Sequence, residues 1–180
     1  MSRAGVYTVG VLAFILMVAG VVTLWLTRSS VEPDSATRAL ADRPDVAAFT
    51  DLSGQEVSLN AVLRERRVVV VNSWASWCPF CVEELRMLDR VAAEFSDDVR
   101  FIAINRRESV NQANRFLQTV GELKHLEIIL DPDDRFYADI AGYTAPETIF
   151  FNQRGEAVIH HRGVLSEEQL RSHLTEVLGR

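Results

Sequence analysis

Residues 68–84 have the sequence VVVVNSWASWCPFCVEE, in which a run of valines leads through a short loop into two cysteines. The almost continuous β-branched run at 67–72 is typical of a strand that is buried on both faces. Residues 79–95 then carry apolar side chains at helical spacing. The sequence therefore predicts that Cys78 and Cys81 lie where a central strand passes into a helix.

The position of the two cysteines indicates reactive thiols. Unpaired N–H groups and the positive end of the helix dipole stabilise a thiolate at a helix N-terminus, and Pro79 suits the first helical position because it has no N–H to satisfy. Cys81 follows one turn later, within disulfide reach. We expect the Cys78 thiolate to attack a substrate disulfide. Cys81, expected to be the less exposed sulfur with the higher pKa, would resolve the mixed disulfide.

Two other interpretations of the cysteines are less favoured. A zinc site usually has four ligands, but the chain has no further cysteine, and its four histidines are not spaced as ligands. His160 and His161 are adjacent in an expected strand and therefore point to opposite faces. A purely structural disulfide would close a loop too short to add much stability. The sequence thus favours redox chemistry and predicts no metal and no cofactor.

The rest of the chain predicts an α/β domain with a mixed sheet. A β-hairpin that turns at Gly54 is expected over residues 49–59, and a strand over 99–104 completes a strand–helix–strand unit with the cysteine segment. The remaining expected elements are, in order, a helix over 108–120, a strand over 126–130, a helix over 132–140, a hairpin of strands over 147–152 and 156–161, and a final helix that begins after Ser166 in a capping box.

An uncharged apolar run of 23 residues, Gly5–Thr27, precedes this domain. As a helix it would extend about 34 Å, enough to cross a bilayer core, whereas the apolar part of a cleaved secretion signal is usually only about 7–15 residues long. We therefore expect a membrane anchor over residues 1–28, a polar tether over 29–45 and one folded domain over 46–180. The flanking charges nearly tie under the positive-inside rule, with a small preference for a domain outside the cytoplasm.

The charge of the chain limits its partners. Beyond residue 30, acidic residues outnumber basic ones by 25 to 17. A net acidic domain argues against nucleic acid or anionic lipid headgroups as the main partner. The expected partners are proteins that carry disulfides.

Two segments resemble one known family. Residues 70–84, VVNSWASWCPFCVEE, and residues 143–152, YTAPETIFFN, with the following Gly155, are similar to the membrane-anchored thioredoxin-like family of TlpA, ResA and the cytochrome c maturation reductases. The resemblance covers about residues 46–180 and implies a thioredoxin fold with an N-terminal β-hairpin and an extra αβ insertion. It also implies a periplasmic reductase that acts on cysteines of apocytochrome c or of assembly proteins and is reduced again by a membrane electron donor.

The resemblance also assigns roles outside the cysteine pair. It implies that Pro146 forms a cis peptide beside the disulfide, where the backbone of Ala145 can pair with an extended substrate segment. Glu84 lies three residues after Cys81. It either accepts the proton of Cys81 or merely favours the start of the helix, and the family carries a glutamate at this offset.

The neighbours of the cysteines have separate expected roles. Trp77 and Pro79 are expected to contact substrate, whereas Trp74 is expected in the core. Asn72 is expected to be a hydrogen-bonding residue at the end of the strand. The family often has proline at the position of Arg86, and this departure leaves the shape of the helix open.

The dipeptide between the cysteines favours a reductase, because Pro-Phe lacks the histidine that marks strong oxidants of this superfamily. A disulfide isomerase or oxidase remains an alternative. So does a module of cytochrome assembly that handles copper or haem through the two thiolates.

Overall fold

A computed structural model describes residues 49–180 of the chain. The anchor expected over residues 1–28, the tether over 29–45 and the first residues of the expected domain lie outside this part. None of the helices between residues 49 and 180 is long and apolar enough to cross a membrane.

The described residues form seven strands and five helices. Both hairpins, the strand–helix–strand unit and the extra αβ step occur where the sequence predicts them, with ends shifted by up to three residues. The strands are β1 (Phe49–Asp51), β2 (Glu56–Val57), β3 (Val68–Trp74), β4 (Val99–Arg106), β5 (Glu127–Asp131), β6 (Glu147–Phe151) and β7 (Ala157–Arg162). The helices are α1 (Leu59–Leu63), α2 (Cys81–Phe95), α3 (Val110–Val120), α4 (Arg135–Asp139) and α5 (Glu167–Leu178).

The strands form one mixed sheet in the order β2-β1-β5-β4-β3-β6-β7. β4 is parallel to both β3 and β5, and the other neighbouring pairs are antiparallel. All seven residues of β3 are buried, because helices cover both faces of the sheet. Val68 and Val70 pack with α2, α3 and α5 on one face, and Val69 and Val71 pack with α1 and α4 on the other.

The sequence does not predict helix α1, since the expected hairpin continues to Leu59. Five residues are too few to show a helical period, but one local signal is present. The Ser58 hydroxyl accepts a hydrogen bond from the N–H of Ala61 at 3.0 Å and so caps the helix. Leu59 and Leu63 are buried in the core on that face.

The topology brings four loops to one edge of the sheet. Because β3, β4 and β5 are parallel, the loops that follow them lie at the same edge. β6 runs antiparallel to β3, and Glu147 at its start is the register partner of Ser73. The loop before β6 therefore lies beside the loop that carries the cysteines.

Candidate active site

Cys78 and Cys81 form a disulfide with their Cα atoms 5.5 Å apart. Cys78 lies in the loop after β3, and Cys81 is the first residue of α2. Each cysteine is only 1% exposed. In the disulfide form the two residues are equally buried, so the expected difference in exposure between them is absent there.

Helix α2 begins at Cys81, so the prediction that Pro79 is its first residue is wrong. Phe80 is the N-cap residue, and the Cys81 N–H donates to the carbonyl of Cys78 at 3.3 Å. This bond closes a tight turn over residues 78–81, and Pro79 lies inside that turn. Helix α2 still begins three residues after Cys78, so the positive end of its dipole continues to favour a thiolate there.

Glu84 is buried in the first turn of α2, with 3% of its surface exposed. One carboxylate oxygen accepts from the side-chain amide of Asn72 and the other from the N–H of Leu165, each at 2.8 Å. Burial raises the pKa of Glu84 from 4.5 to about 7, because it outweighs these two hydrogen bonds, which lower it. A carboxyl with this pKa can both take up and release a proton near neutral pH.

Asn72 connects three elements beneath the cysteine loop. Its Nδ2 group donates to Glu84 on α2 and to the hydroxyl of Thr148 on β6, the latter at 3.0 Å. Its side chain is buried at the register position opposite Thr148. The hydrogen-bonding position expected for Asn72 is therefore present, and it aligns the Glu84 carboxyl.

The peptide bond between Ala145 and Pro146 is cis, as the resemblance implies. The carbonyl of Pro146 accepts from the N–H of Gly163 at 3.0 Å, which ties the loop before β6 to the end of β7. Pro146 is buried and Ala145 is half-buried. The structure thus places both residues at the sheet edge that carries the cysteines.

A second buried acid, Glu147, holds the loop ahead of Pro146. One of its oxygens accepts from the N–H groups of Tyr143 and Thr144 at 2.8 Å, and the other lies 2.6 Å from Nε2 of His160. Burial acts to raise the pKa of Glu147, but the bonds from His160 and the two N–H groups outweigh it and lower that pKa below 4.5.

Sequence reasoning missed the Glu147–His160 pair. The two residues are 13 positions apart, and they meet only because β6 pairs with β7. An available signal was the presence of an acid and a histidine in the two strands of an expected hairpin. Both side chains are fully buried, so this pair belongs to the support of the loop and not to its surface.

Three exposed aromatic side chains, here called the aromatic rim, lie in the loops at this edge of the sheet: Trp77 and Phe80 in the cysteine loop and Tyr143 in the loop before Pro146. Trp77 is 63%, Phe80 60% and Tyr143 75% exposed. Exposed apolar groups of this size are typical of a surface that binds another molecule. By contrast, Trp74 is fully buried and stacks on Phe116 with ring centres 5.1 Å apart, so its predicted core position is confirmed.

Arg106 at the end of β4 supports two of the loops. Its guanidinium donates two hydrogen bonds to Asp134, at 2.9 and 2.8 Å, and lies 3.0 Å from the ring centre of Tyr137 and 6.0 Å from that of Trp77. The Tyr137 hydroxyl donates to the carbonyl of Thr144 at 3.1 Å. The β5–α4 segment therefore contacts the loop before Pro146 directly and is linked to Trp77 of the cysteine loop through Arg106.

A groove of about 360 Å³ runs between the start of α2 and the loop before α5. Pro79 and Phe80 form one end, and Val164 with Leu165 forms the facing wall. Glu84 is also among the residues that line the groove.

Within residues 49–180, no group of three or more His, Cys, Asp or Glu side chains could hold a metal ion. His160 and His161 have different surroundings on β7. His160 bonds to buried Glu147, whereas Nε2 of His161 lies 3.2 Å from the carbonyl of Val164.

Comparisons with known proteins agree with this geometry. A family model described as Redoxin matches residues 34–178. The thiol:disulfide interchange protein DsbE of Yersinia pestis is 29% identical over 160 residues, which cover 87% of this chain and 82% of that protein. The DsbE of Allochromatium vinosum is 32% identical over 135 residues, covering 74% and 72%.

Solved structures show the same fold. A secreted Mycobacterium tuberculosis disulfide oxidoreductase, described as homologous to Escherichia coli DsbE, has a TM-score of 0.61 at 26% identity, over 71% of this chain and 92% of that chain. The structure of MTB DsbF has a TM-score of 0.65 at 23% identity, over 73% and 94%.

Proposed function

The chain belongs to the Redoxin family, in the group of DsbE-type thiol:disulfide interchange proteins, and we propose that this thiol–disulfide oxidoreductase works as a reductase of protein disulfides. One observation carries the proposal: the Cys78–Cys81 disulfide lies at the start of α2, and the buried carboxyl of Glu84, with a pKa of about 7, is in the same helical turn.

In the first step the reduced protein attacks. The Cys78 thiolate forms a bond to one sulfur of the substrate disulfide, and the sulfur–sulfur bond of the substrate breaks. The leaving sulfur departs as a thiolate, which takes a proton from solvent. The N-terminus of α2 lowers the cost of the negative charge on Cys78 before the attack.

In the second step Cys81 closes the cycle. Its thiol gives a proton to the Glu84 carboxylate, and the resulting thiolate attacks the sulfur of Cys78 in the mixed disulfide. The Cys78–Cys81 disulfide forms, and the second substrate sulfur leaves as a thiolate. The substrate gains two electrons, and Glu84 releases its proton to solvent through the groove that it lines.

Substrate binding is assigned to the surface beside the disulfide. The exposed ring of Trp77 and the turn residue Pro79 would contact apolar groups of the substrate. The backbone of Ala145, ahead of cis-Pro146, would pair with an extended segment next to the substrate cysteine, in the manner of an added strand.

The cellular setting of the proposal follows the family resemblance. The domain would face the periplasm, held by an anchor within residues 5–27, and would reduce cysteines of apocytochrome c or assembly factors. A membrane electron donor would reduce Cys78–Cys81 again. A topology reporter fused after Arg180 tests the location, and activity of the reporter only in the cytoplasm would contradict it.

Trapping with cysteine variants tests the chemistry. Cys81→Ala should accumulate the target protein on Cys78 as a mixed disulfide, whereas Cys78→Ala should trap none. Equal trapping by both variants would overturn the assignment of the attacking sulfur.

The reduction potential tests the direction of electron flow. A value near about −270 mV is expected for a reductase, and a value near about −120 mV would identify an oxidant instead. Tight Cu(I) binding without reduction of insulin or apocytochrome c would favour a metal-handling module.

A further inference from the structure

A third buried acid, Glu108, contacts the loop that carries the cysteines. It lies between β4 and α3 and is 7% exposed. Its two carboxylate oxygens share the backbone N–H of Ser76, at 3.2 and 3.0 Å, and one of them also accepts from the Ser76 hydroxyl at 2.6 Å. Ser76 is two residues ahead of Cys78, so this carboxylate grips the middle of the loop between β3 and α2.

The same carboxylate also accepts hydrogen bonds from residues at the end of β4 and on α3. The Asn105 amide at the end of β4 donates to one oxygen at 2.7 Å, and the Gln112 amide on α3 donates to the other at 2.9 Å. Gln112 also donates to the Ser76 hydroxyl at 3.1 Å, which closes a ring of bonds. All these donors are neutral groups. Together their hydrogen bonds hold the carboxylate in one position.

We propose that Glu108 is a positioning residue, which holds Ser76 so that Cys78 stays oriented toward Cys81 and the disulfide closes readily. The inference rests on the proposed function, because closing that disulfide is its second step. The tendency of two thiols in one chain to form a disulfide depends on how closely the chain holds them together. Loss of orientation lowers the effective concentration of one thiol at the other. Glu108 supplies this orientation from the loop that follows β4, the strand next to the one that leads into the cysteine loop.

Two substitutions separate the effect of the hydrogen bonds between Glu108 and Ser76 from the effect of the charge of Glu108. Oδ1 of Asn105 is buried and has no hydrogen-bond partner. In Glu108→Gln, the new amide group can donate to this oxygen after the Asn105 amide rotates, while the glutamine oxygen keeps the bond from Ser76. Glu108→Ala removes both the charge and the hydrogen bonds to Ser76.

Asp89 provides a matched control. One of its oxygens accepts from the backbone N–H groups of Lys124, His125 and Leu126, at 2.8, 2.7 and 3.1 Å. Asp89→Ala therefore also removes a carboxylate that holds a loop, but that loop connects α3 to β5 and does not carry the cysteines.

The test is the equilibrium between the full-length protein and glutathione. One glutathione disulfide becomes two thiols as the Cys78 and Cys81 thiols of the chain become a disulfide. For Glu108→Ala we expect an equilibrium constant for disulfide formation about tenfold below wild type, which corresponds to a potential about 30 mV less negative. Glu108→Gln and Asp89→Ala should stay within about threefold of wild type.

Either of two results with the Glu108 variants would overturn the proposal. An unchanged equilibrium constant in folded Glu108→Ala would mean that Glu108 only stabilises the fold, as Asp89 does. A shift in Glu108→Gln as large as that in Glu108→Ala would assign the effect to charge instead of position. If Glu108→Ala does not fold, Ser76→Ala replaces it, since it removes the hydrogen bonds of the hydroxyl to Glu108 and Gln112 but keeps those from the Ser76 N–H to Glu108. A smaller shift in the same direction is then expected, and no shift would refute the proposal.

The readout is independent of any protein substrate. If the wild-type chain fails to reduce insulin or apocytochrome c, the proposed reductase function falls. The glutathione equilibrium still reports whether Glu108 positions Cys78.

Discussion

Replacing Glu84 with glutamine is expected to change how the stability of the protein depends on pH. In the folded, oxidised protein burial raises the pKa of Glu84 from 4.5, its value in an unfolded chain, to about 7. Between these values the folded state binds more protons than the unfolded state, so the free energy of unfolding falls as pH rises. The separation corresponds to about 3 kcal/mol in total, of which roughly 2–3 kcal/mol develops between pH 5 and pH 8.

Urea unfolding of the oxidised wild-type chain and of Glu84→Gln measures this effect, with tryptophan fluorescence as the signal. At pH 5, where a carboxyl with a pKa of about 7 is protonated, the wild type should be more stable by about 1–2 kcal/mol, because both oxygens of the carboxyl can still accept a hydrogen bond from Asn72 or Leu165 whereas the NH2 group of a glutamine cannot. At pH 8 the wild type should have lost roughly 2–3 kcal/mol relative to the variant. Glu83→Gln, on the same turn but exposed, controls for the amide substitution itself.

The difference between the two proteins decides the outcome. If the free energies of unfolding of wild type and Glu84→Gln differ by the same amount at pH 5 and pH 8, the pKa of Glu84 is not raised. A difference that moves in favour of the wild type at pH 8 would refute the reasoning more strongly. In either case Glu84 could not take the proton of Cys81 in the way proposed.

The remaining predictions concern the loop before Pro146. His160→Phe removes a partner of buried Glu147 and should lower the free energy of unfolding by about 3 kcal/mol at pH 7. Because the lowered pKa of Glu147 stabilises the fold only while the carboxylate is ionised, urea unfolding should show a loss that shrinks as pH falls below about 4.5, and a constant loss would contradict this. Gly142→Ala places a Cβ against the Tyr137 ring and should cost about 1–3 kcal/mol in thermal unfolding. Tyr137→Phe, which loses only a hydroxyl bond, should cost about 1 kcal/mol. If Tyr137→Phe lost as much stability as Gly142→Ala or more, the steric argument would be contradicted.

The features that the sequence predicts well are those with local signals. The valine run of β3, the helical period of α2 and the capping box at Ser166 each depend on residues close together in the chain. The capping box is present in full, with the Ser166 hydroxyl and the Gln169 side chain bonding to each other's backbone N–H. Local signals of this kind set the order of elements, and the general right-handedness of crossovers between parallel strands then limits the topology.

The supporting acids of the site carry no such signal. Glu108 does not differ in sequence from an exposed acid, and the only signal for Glu147 is a histidine in the other strand of its expected hairpin, so both are functional candidates mainly because of their partners. Ser76 is 32 residues from Glu108, and the contact exists because parallel pairing brings the ends of β3 and β4 to one edge. By contrast, Glu84 could be proposed from sequence, because its relation to Cys81 is set by one helical turn.

Arg86 illustrates how a departure from a family pattern acquires its meaning from distant residues. A proline at this position would remove an N–H and kink the helix, whereas α2 runs without interruption from Cys81 to Phe95. The arginine side chain instead crosses to α3, where it donates to the carbonyls of Thr119 and Val120 at 2.7 Å each. The last carbonyls of a helix have no partner within it, so Arg86 satisfies two of them and fixes the end of α3 against α2. Gln112, which donates to Glu108, is also on α3. Arg86 therefore helps to hold the helix whose hydrogen bonds support the cysteine loop.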